Sequence, residues 1–177
     1  MEKSNVQTLK KILISILTAG LALVVLLFVV SRIRTIYIDT KYSNFYSSIT
    51  DASVCSHGND FITEKKSIIT TDGKGKGDFA ASDFVRFSAK RFDGLLTVNQ
   101  FTAGDSPLRL TLKSMLKSGN LRIFIIKNGT EILREIAPNE EISLDFSGTE
   151  TGTYTVRILG IAAEMELEIR RTAETTE

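Results

Sequence analysis

Residues 12–30, ILISILTAGLALVVLLFVV, decide the architecture that the rest of the chain must follow. No charged residue lies between Lys11 and Arg32. A helix rises about 1.5 Å per residue, so about twenty residues cross the roughly 30 Å hydrocarbon core of a bilayer. A buried helix of a soluble domain usually keeps one polar stripe, which this stretch lacks. The sequence therefore predicts a transmembrane helix over residues 12–31, with the lipid bilayer as its partner.

The residues around this helix predict how it is held in the membrane. Basic side chains stand on both sides of it and an interfacial tyrosine follows, namely Lys10, Lys11, Arg32, Arg34 and Tyr37. The apolar run is too long for a cleavable signal peptide and no small-x-small pattern follows it, so we expect an uncleaved signal anchor. A short tail, residues 1–11, before the helix and a β-rich domain after it favour a cytoplasmic N-terminus and an extracytoplasmic C-terminal domain on the cell membrane.

Residues 32–60 form a juxtamembrane segment that contains an aromatic stripe. Tyr42, Phe45, Tyr46 and Ile49 follow the i, i+3, i+4, i+7 spacing of one helix face. One interpretation is that the preceding helix simply continues through them. The other is that the stripe is a docking surface for a protein partner or for a second copy, with homo-oligomers forming through the anchor.

Charge and cysteine content exclude several classes of protein. Residues 1–34 carry five basic side chains and one acidic, a net charge of +4, whereas residues 35–177 carry 17 basic and 20 acidic, a net charge of −3. A nucleic-acid-binding domain is typically basic, so we expect no nucleic-acid partner. The single cysteine, Cys55, permits no disulfide within the chain, which excludes a small disulfide-framework module.

The only cysteine and the only histidine, Cys55 and His57, are the first residues to test for catalysis or metal binding. No second Cys or His is present to complete a soft-ligand metal site. No acidic or basic partner is placed beside the pair by pattern. Membrane-anchored sortases resemble this chain in layout, but their Thr-Leu-x-Thr-Cys motif is absent. We therefore expect no catalytic residue, no metal, no cofactor and no enzyme activity.

Residues 71–78, TDGKGKGD, combine glycine and lysine as some phosphate-binding loops do. Such a loop needs a strand before it, a helix N-terminus after it and the Walker spacing. A further β-like run follows here, and the Walker spacing is missing. We interpret residues 73–77 as the centre of a solvated loop, and a contact with an anionic ligand is the alternative.

Residues 61–171 alternate apolar and polar side chains as half-buried strands do. Turn signals separate the alternating runs, and Asn128-Gly129 is the clearest hairpin signal among them. The other predicted turns are Asp93-Gly94, Ser118–Asn120, Pro138-Asn139 and Gly160–Ala163. Short strands at a spacing of about 8–12 residues predict an all-β fold, an antiparallel β-sandwich or jelly roll of about eight or nine strands. Residues 172–177 are predicted to be a flexible tail.

Residues 152–170, GTYTVRILGIAAEMELEIR, resemble the closing hairpin of small bacterial β-sandwich modules of the pre-peptidase C-terminal type. The resemblance rests on Gly-x-Tyr-x-Val followed by an alternating strand. Such modules are accessory, non-catalytic parts of cell-surface and secreted proteins, which implies a similar role here. A calcium site would need clustered loop aspartates, and the aspartates of this chain are scattered, at Asp72, Asp78, Asp83, Asp93 and Asp105.

These observations together favour a membrane-anchored, extracytoplasmic β-sandwich that binds a partner. Aromatic residues total 8% and Trp is absent, so a stacking platform for sugars is poorly supplied. We therefore expect a protein partner rather than a glycan. The alternative is a structural subunit of a membrane-associated assembly, such as a secretion, division or surface apparatus.

Overall fold

In the part of the chain that the structure describes, one long helix precedes a short helix and seven strands. The computed structural model describes residues 2–70, 82–104, 107–147 and 151–173. The elements in chain order are α1 (Glu2–Ser48), α2 (Asp51–Ser56), β1 (Asp60–Glu64), β2 (Ser67–Thr70), β3 (Phe84–Ala103), β4 (Leu108–Lys127), β5 (Glu131–Ile136), β6 (Glu141–Phe146) and β7 (Gly152–Ala173). The loop predicted at residues 73–77 lies outside the described residues, as do Asp72, Asp78, Asp105 and residues 174–177 of the predicted tail.

The chain divides into two units, Met1–Lys41 and Tyr42–Glu177. In the first unit, the large apolar side chains between Leu13 and Val30 are each 44% to 74% exposed. The helix that carries them is long and apolar enough to cross a membrane, by length and composition. The second unit contains all the strands.

Three strands of 20 to 22 residues form the centre of one antiparallel sheet, in the order β3-β7-β4. Each edge of this trio carries two short strands instead of one long strand. The strands β1 and β2 both pair with β3, and the strands β5 and β6 both pair with β4. Each edge of the sheet is therefore interrupted between its two short strands, whereas the neighbouring long strand continues past the gap.

The three long strands bend at one level, which we call the corner. The corner consists of Asp93-Gly94 in β3, Ser118–Asn120 in β4 and Gly160–Ala162 in β7. Gly160 pairs with Gly94 on one side and with Leu121 on the other, so the three bends adjoin. Shifts of register interrupt the pairing of β3 with β7 and of β4 with β7 at this level. Such bulges bend a strand, and an extra residue reverses which side chains face the core.

Burial in β7 demonstrates this reversal. Val156 and Ile158, even-numbered, face the core before the corner, whereas Met165 and Leu167, odd-numbered, face the same core after it. The inward phase of β3 and β4 changes at the same level. A single alternating strand therefore contributes to two layers.

The corner folds the sheet so that its halves enclose one core, as the two layers of a β-sandwich. The covered layer consists of β5 and residues 95–103, 121–127 and 152–159 of the long strands, and β1 pairs with residues 91–95 of β3 at the corner. The open layer consists of β2, β6 and residues 84–92, 108–117 and 163–173. Phe146 of the open layer meets two rings of the covered layer, with centroid distances of 5.3 Å to Phe101 and 4.5 Å to Tyr154. The two layers therefore touch far from the corner as well.

The predicted all-β antiparallel sandwich behind one apolar helix is confirmed, and the described residues form seven strands, slightly fewer than the eight or nine predicted. Three predicted turns, Asp93-Gly94, Ser118–Asn120 and Gly160–Ala163, are bends inside continuous strands. Residues 152–170 are consequently one bent strand and not a hairpin. Asn128-Gly129 does connect two paired strands, and Pro138-Asn139 is a turn between β5 and β6.

Candidate functional site

A second apolar cluster lies on the outer face of the covered layer, and we call it the outer cluster. Its buried members come from α2 and the three long strands and are Val54, Leu95, Phe124, Ile126 and Leu159. These strand positions point away from the main core, so each long strand carries at least one apolar side chain on its outer face here. Such residues need a cover, and helical segments at the start of the second unit supply it.

The aromatic stripe forms most of this cover. Phe45, Tyr46 and Ile49 pack against the outer cluster, and Tyr42 is 2% exposed. The Tyr42 hydroxyl also donates a hydrogen bond to Oδ1 of Asp60, at 3.0 Å. The helix α1 continues through Tyr42, Phe45 and Tyr46 and ends at Ser48, so Ile49 lies after it. These side chains contact their own domain, and their docking to a partner or second copy stays a prediction.

The short helix α2 completes the cover and is held at both ends. Its N-cap residue, Thr50, accepts a hydrogen bond from the Ser53 N–H through Oγ1, at 3.3 Å. Near its other end, Arg157 Nη1 donates a hydrogen bond to the carbonyl of Val54. The last carbonyls of a helix have no partner within the helix, so a side-chain donor there stabilises it.

A polar cleft of about 300 Å³ opens beside the end of α2, on the part of the covered layer that the helices leave bare. Ile126 and Gly129 contribute to its wall. The polar residues that line it are Cys55, His57, Asn59, Thr97, Gln100, Thr155 and Arg157. The Oδ1 atom of Asn59 accepts a hydrogen bond from the Thr97 N–H at 2.8 Å, which fixes the chain after α2 against β3.

Arg157 is the unusual residue of this cleft because it is charged and only 4% exposed. No carboxylate of the described residues lies within 4 Å of its guanidinium, and its Nε finds no acceptor there. Burial lowers the pKa of Arg157 from its ordinary value, since desolvation disfavours the charged form. A buried guanidinium without a counter-charge lowers stability, so its retention calls for an explanation.

Cys55 and His57 both line this cleft. Burial raises the pKa of the Cys55 thiol, the charge of Asp51 raises it further, and Arg157 acts in the opposite direction. A nucleophilic cysteine needs a lowered pKa. The His57 ring packs against Phe45, with centroids 5.2 Å apart. Among the described residues, no group of three His, Cys, Asp or Glu could hold a metal ion.

A second depression, of about 310 Å³, lies on the outer face of the open layer between charged side chains. Its glutamates are already paired, Glu166 with Lys117 at 2.9 Å and Glu168 with Arg86. Hydrogen bonds from these cations hold the pKa of both carboxyls below the ordinary value. A general acid would need a raised pKa, so this surface is a ladder of ion pairs.

The predicted membrane-flanking residues all lie on α1. Lys11, Arg32, Arg34 and Tyr37 have exposed side chains, and the Arg32 guanidinium lies 5.2 Å from the centre of the Phe28 ring. The side chain of Lys10 lies outside the described part of the chain. The four described side chains are exposed, and their contact with lipid headgroups stays a prediction.

The sequence did not single out Arg157. Its place between Val156 and Ile158 in an alternating strand predicts an ordinary outward-facing polar residue. Its burial comes from Val54, 103 residues earlier in the chain. The one available signal was Leu121–Lys127, LRIFIIK, whose centre is apolar on both faces. Such a run predicts a cover on the outer face, but it does not say which polar residue that cover will bury.

Comparisons with known proteins give likenesses of fold only. No family model and no curated protein matches the chain. The accessory secretory protein 1, 2 and 3 structure of Streptococcus pneumoniae aligns with 64% of this chain and 90% of its own, at 11% identity and a TM-score of 0.31. TmCBM61, in complex with beta-1,4-galactotriose, aligns over 67% and 90%, at 12% identity and a TM-score of 0.34. The family 11 carbohydrate-binding module of the cellulase Lic26A-Cel5E of Clostridium thermocellum gives 69% and 92%, at 12% identity and a TM-score of 0.32. Likenesses this distant do not bear on what this chain binds.

Proposed function

We propose that this chain is a single-pass membrane protein whose extracytoplasmic β-sandwich binds a protein partner and has no enzyme activity. One observation carries the anchor. The described residues of the β domain expose three large apolar side chains, Ile69, Met115 and Leu133. Those of α1 between Leu13 and Val30, by contrast, are each 44% to 74% exposed. A surface of this size needs an apolar surrounding, and a bilayer provides one.

The preference for a protein over a glycan follows from where the aromatic rings lie. From Tyr42 onward, every described Phe and Tyr is buried or half-buried. Sugar-binding surfaces use exposed rings for stacking, and the described part of the domain offers none. A cleft lined by hydrogen-bonding side chains and one guanidinium suits polar groups of a polypeptide better.

The topology is tested with a C-terminal tag and an added protease. Cells that produce the full chain are treated intact and after the membrane is broken, and the tag is followed on a blot. We expect digestion by protease that acts only from outside the membrane, because the proposed topology places the C-terminal domain there. A tag that is protected until the membrane is broken would place the domain in the cytosol and overturn the proposal.

A second experiment separates a binding module from a structural subunit of an assembly. Residues 12–31 are replaced by an unrelated apolar span of equal length, and association of the full chain with other proteins is measured by cross-linking in the membrane. Tyr42 to Ser48 must be kept, because their side chains belong to the β domain. A binding module keeps its cross-links after this exchange, whereas a subunit that associates through its anchor loses them.

A further inference from the structure

The polar cleft beside α2 is a site that the proposed function does not yet use. It lies on the part of the covered layer that the helices leave bare. There the chain passes from the end of α2 through Asn59 to β1. Thr97, Gln100 and Thr155 face this opening from two adjacent strands. The sandwich core lies on the other face of these strands, so the cleft can be occupied without disturbing the core.

Arg157 is one of the residues that line the cleft, and it is more than nine-tenths buried. One of its nitrogens donates to the Val54 carbonyl, and Nε has no acceptor among the described residues. Burial strengthens the attraction of this charge for an anion, because little water screens it. The lining therefore contains an immobilised cation with hydrogen-bonding capacity left over.

The remaining lining limits the kind of anion. Arg157 is the only Lys or Arg among the residues that line the cleft, and the other polar groups are neutral amides and hydroxyls, a thiol and His57. One guanidinium matches one carboxylate in charge and in planar shape. A phosphate dianion would keep an unneutralised charge in a partly desolvated site.

We propose that this cleft binds a carboxylate group of a polypeptide partner, with Arg157 as its counter-charge and Asn59, Gln100 and Thr155 as neighbouring hydrogen-bonding groups. The carboxylate is either an acidic side chain or a C-terminus. This inference rests on the proposed function, since it names the chemistry by which the domain recognises a protein.

The chain supplies its own reporter, because Cys55 is the only cysteine and lines the same cleft. Full-length protein in detergent micelles is reacted with uncharged N-ethylmaleimide while a peptide is titrated in. The probes are acetyl-Ala-Ala-Ala with a free carboxylate, acetyl-Ala-Glu-Ala amide, the matching acetyl-Ala-Gln-Ala amide, inorganic phosphate and glucuronic acid. We expect one or both carboxylate peptides to slow the reaction, about threefold at twice the dissociation constant.

The two carboxylate peptides distinguish a C-terminus from an acidic side chain, and the glutamine peptide should give no protection. Arg157→Gln should abolish the protection, whereas Arg109→Gln, which removes an exposed arginine of the open layer, should leave it unchanged. The comparison of acid and amide peptides uses the unaltered protein, so it stays decisive even if Arg157→Gln does not fold.

Three results would overturn the inference: equal protection by the glutamate and glutamine peptides, full protection in Arg157→Gln, or protection by phosphate or glucuronic acid but by neither carboxylate peptide. A protease experiment that still finds the domain outside the membrane would then keep the proposed function while removing this ligand. Conversely, a cytosolic domain with carboxylate protection would keep the site and remove the extracytoplasmic partner.

Discussion

At the scale of single residues, we expect Arg157 to lower the stability of the domain, unlike an ordinary buried apolar residue. Its guanidinium is 4% exposed and has no described carboxylate within 4 Å. Replacing a buried charge by an apolar side chain of similar length often leaves stability unchanged or raises it. We expect Arg157→Met to raise the free energy of unfolding by about 1 kcal/mol, because relief of desolvation exceeds the roughly 1 kcal/mol of the lost hydrogen bond to Val54.

This prediction is checked by urea unfolding of the full chain in micelles, followed by the near-ultraviolet circular dichroism of Tyr154, which is buried in the core. Arg109→Met is the control, since that side chain is 46% exposed and its loss should change stability by less than about 0.5 kcal/mol. A loss of more than about 1 kcal/mol in Arg157→Met would instead make the arginine a structural cap of α2. A gain would mean that the cleft keeps the charge at the expense of stability, as binding sites do.

At the scale of elements, the three corner bends explain why three of the predicted turns do not reverse the chain. A residue with positive φ serves a hairpin turn and a bulge equally well. Gly94 and Gly119 have φ of +109° and +81° at the corner, and Asn128 and Gly129 have φ of 53° and 71° in the true hairpin. Whether the chain reverses or continues there depends on the neighbouring strand, which alternation alone does not reveal. The extended segments were therefore predictable, but alternation did not show which of the turn signals reverse the chain.

A series of glycine substitutions tests the corner directly. Gly119 has positive φ, and a Cβ there would lie 2.3 Å from the Ala162 carbonyl oxygen, whereas Gly129 has positive φ in open space. Gly104 is open and needs no positive φ. We expect Gly119→Ala to lower the free energy of unfolding by more than about 2 kcal/mol, Gly129→Ala by about 1 kcal/mol, and Gly104→Ala to leave it nearly unchanged.

Urea unfolding of the three variants at one pH gives this order or refutes it. The difference between Gly119→Ala and Gly129→Ala isolates the steric contact between β4 and β7, because both substitutions carry the strain of positive φ. If the two variants lose equal stability, the strands do not approach closely at the corner. The sandwich would then lack the shared bend that joins its layers.

At the scale of the whole molecule, composition and alternation predicted an apolar helix before an antiparallel sandwich, because burial of alternating side chains follows from local pattern. They did not predict that part of the outer face of residues 95–103, 121–127 and 152–159 would be covered as well, at the outer cluster. That cover comes from Tyr42 to Ser56, which is distant in sequence from two of these segments. The polar cleft lies where the cover stops, so a local sequence pattern predicts neither its position nor its buried arginine.

The charged surface of the sandwich predicts how the whole domain responds to acid. Hydrogen bonds from Arg122, Arg109 and Lys90, respectively, hold the pKa of Glu135, Asp145 and Glu164 below the ordinary value. A carboxyl with a lowered pKa in the folded state contributes stability above its unfolded pKa, about 4 for Asp and Glu, and that contribution is lost as the pH falls through the folded value. We therefore expect the free energy of unfolding to be steady above about pH 5.5 and to fall from about pH 5 towards pH 3.

The measurement is urea unfolding of the full chain at several pH values between these limits, with and without added salt. Most of the pairs are exposed, so each contributes little and about 1 M salt should flatten the decline by screening them. Glu135→Gln should reduce the slope, because it removes a bidentate pair with Arg122 at 2.7 Å and 2.8 Å. Glu140→Gln is the matched control, since that carboxylate forms no ion pair among the described residues. A stability that does not change between pH 6 and pH 3 would show that the ion pairs do not stabilise the outer faces of the layers. A decline that salt leaves unaltered would show that acid acts elsewhere in the domain.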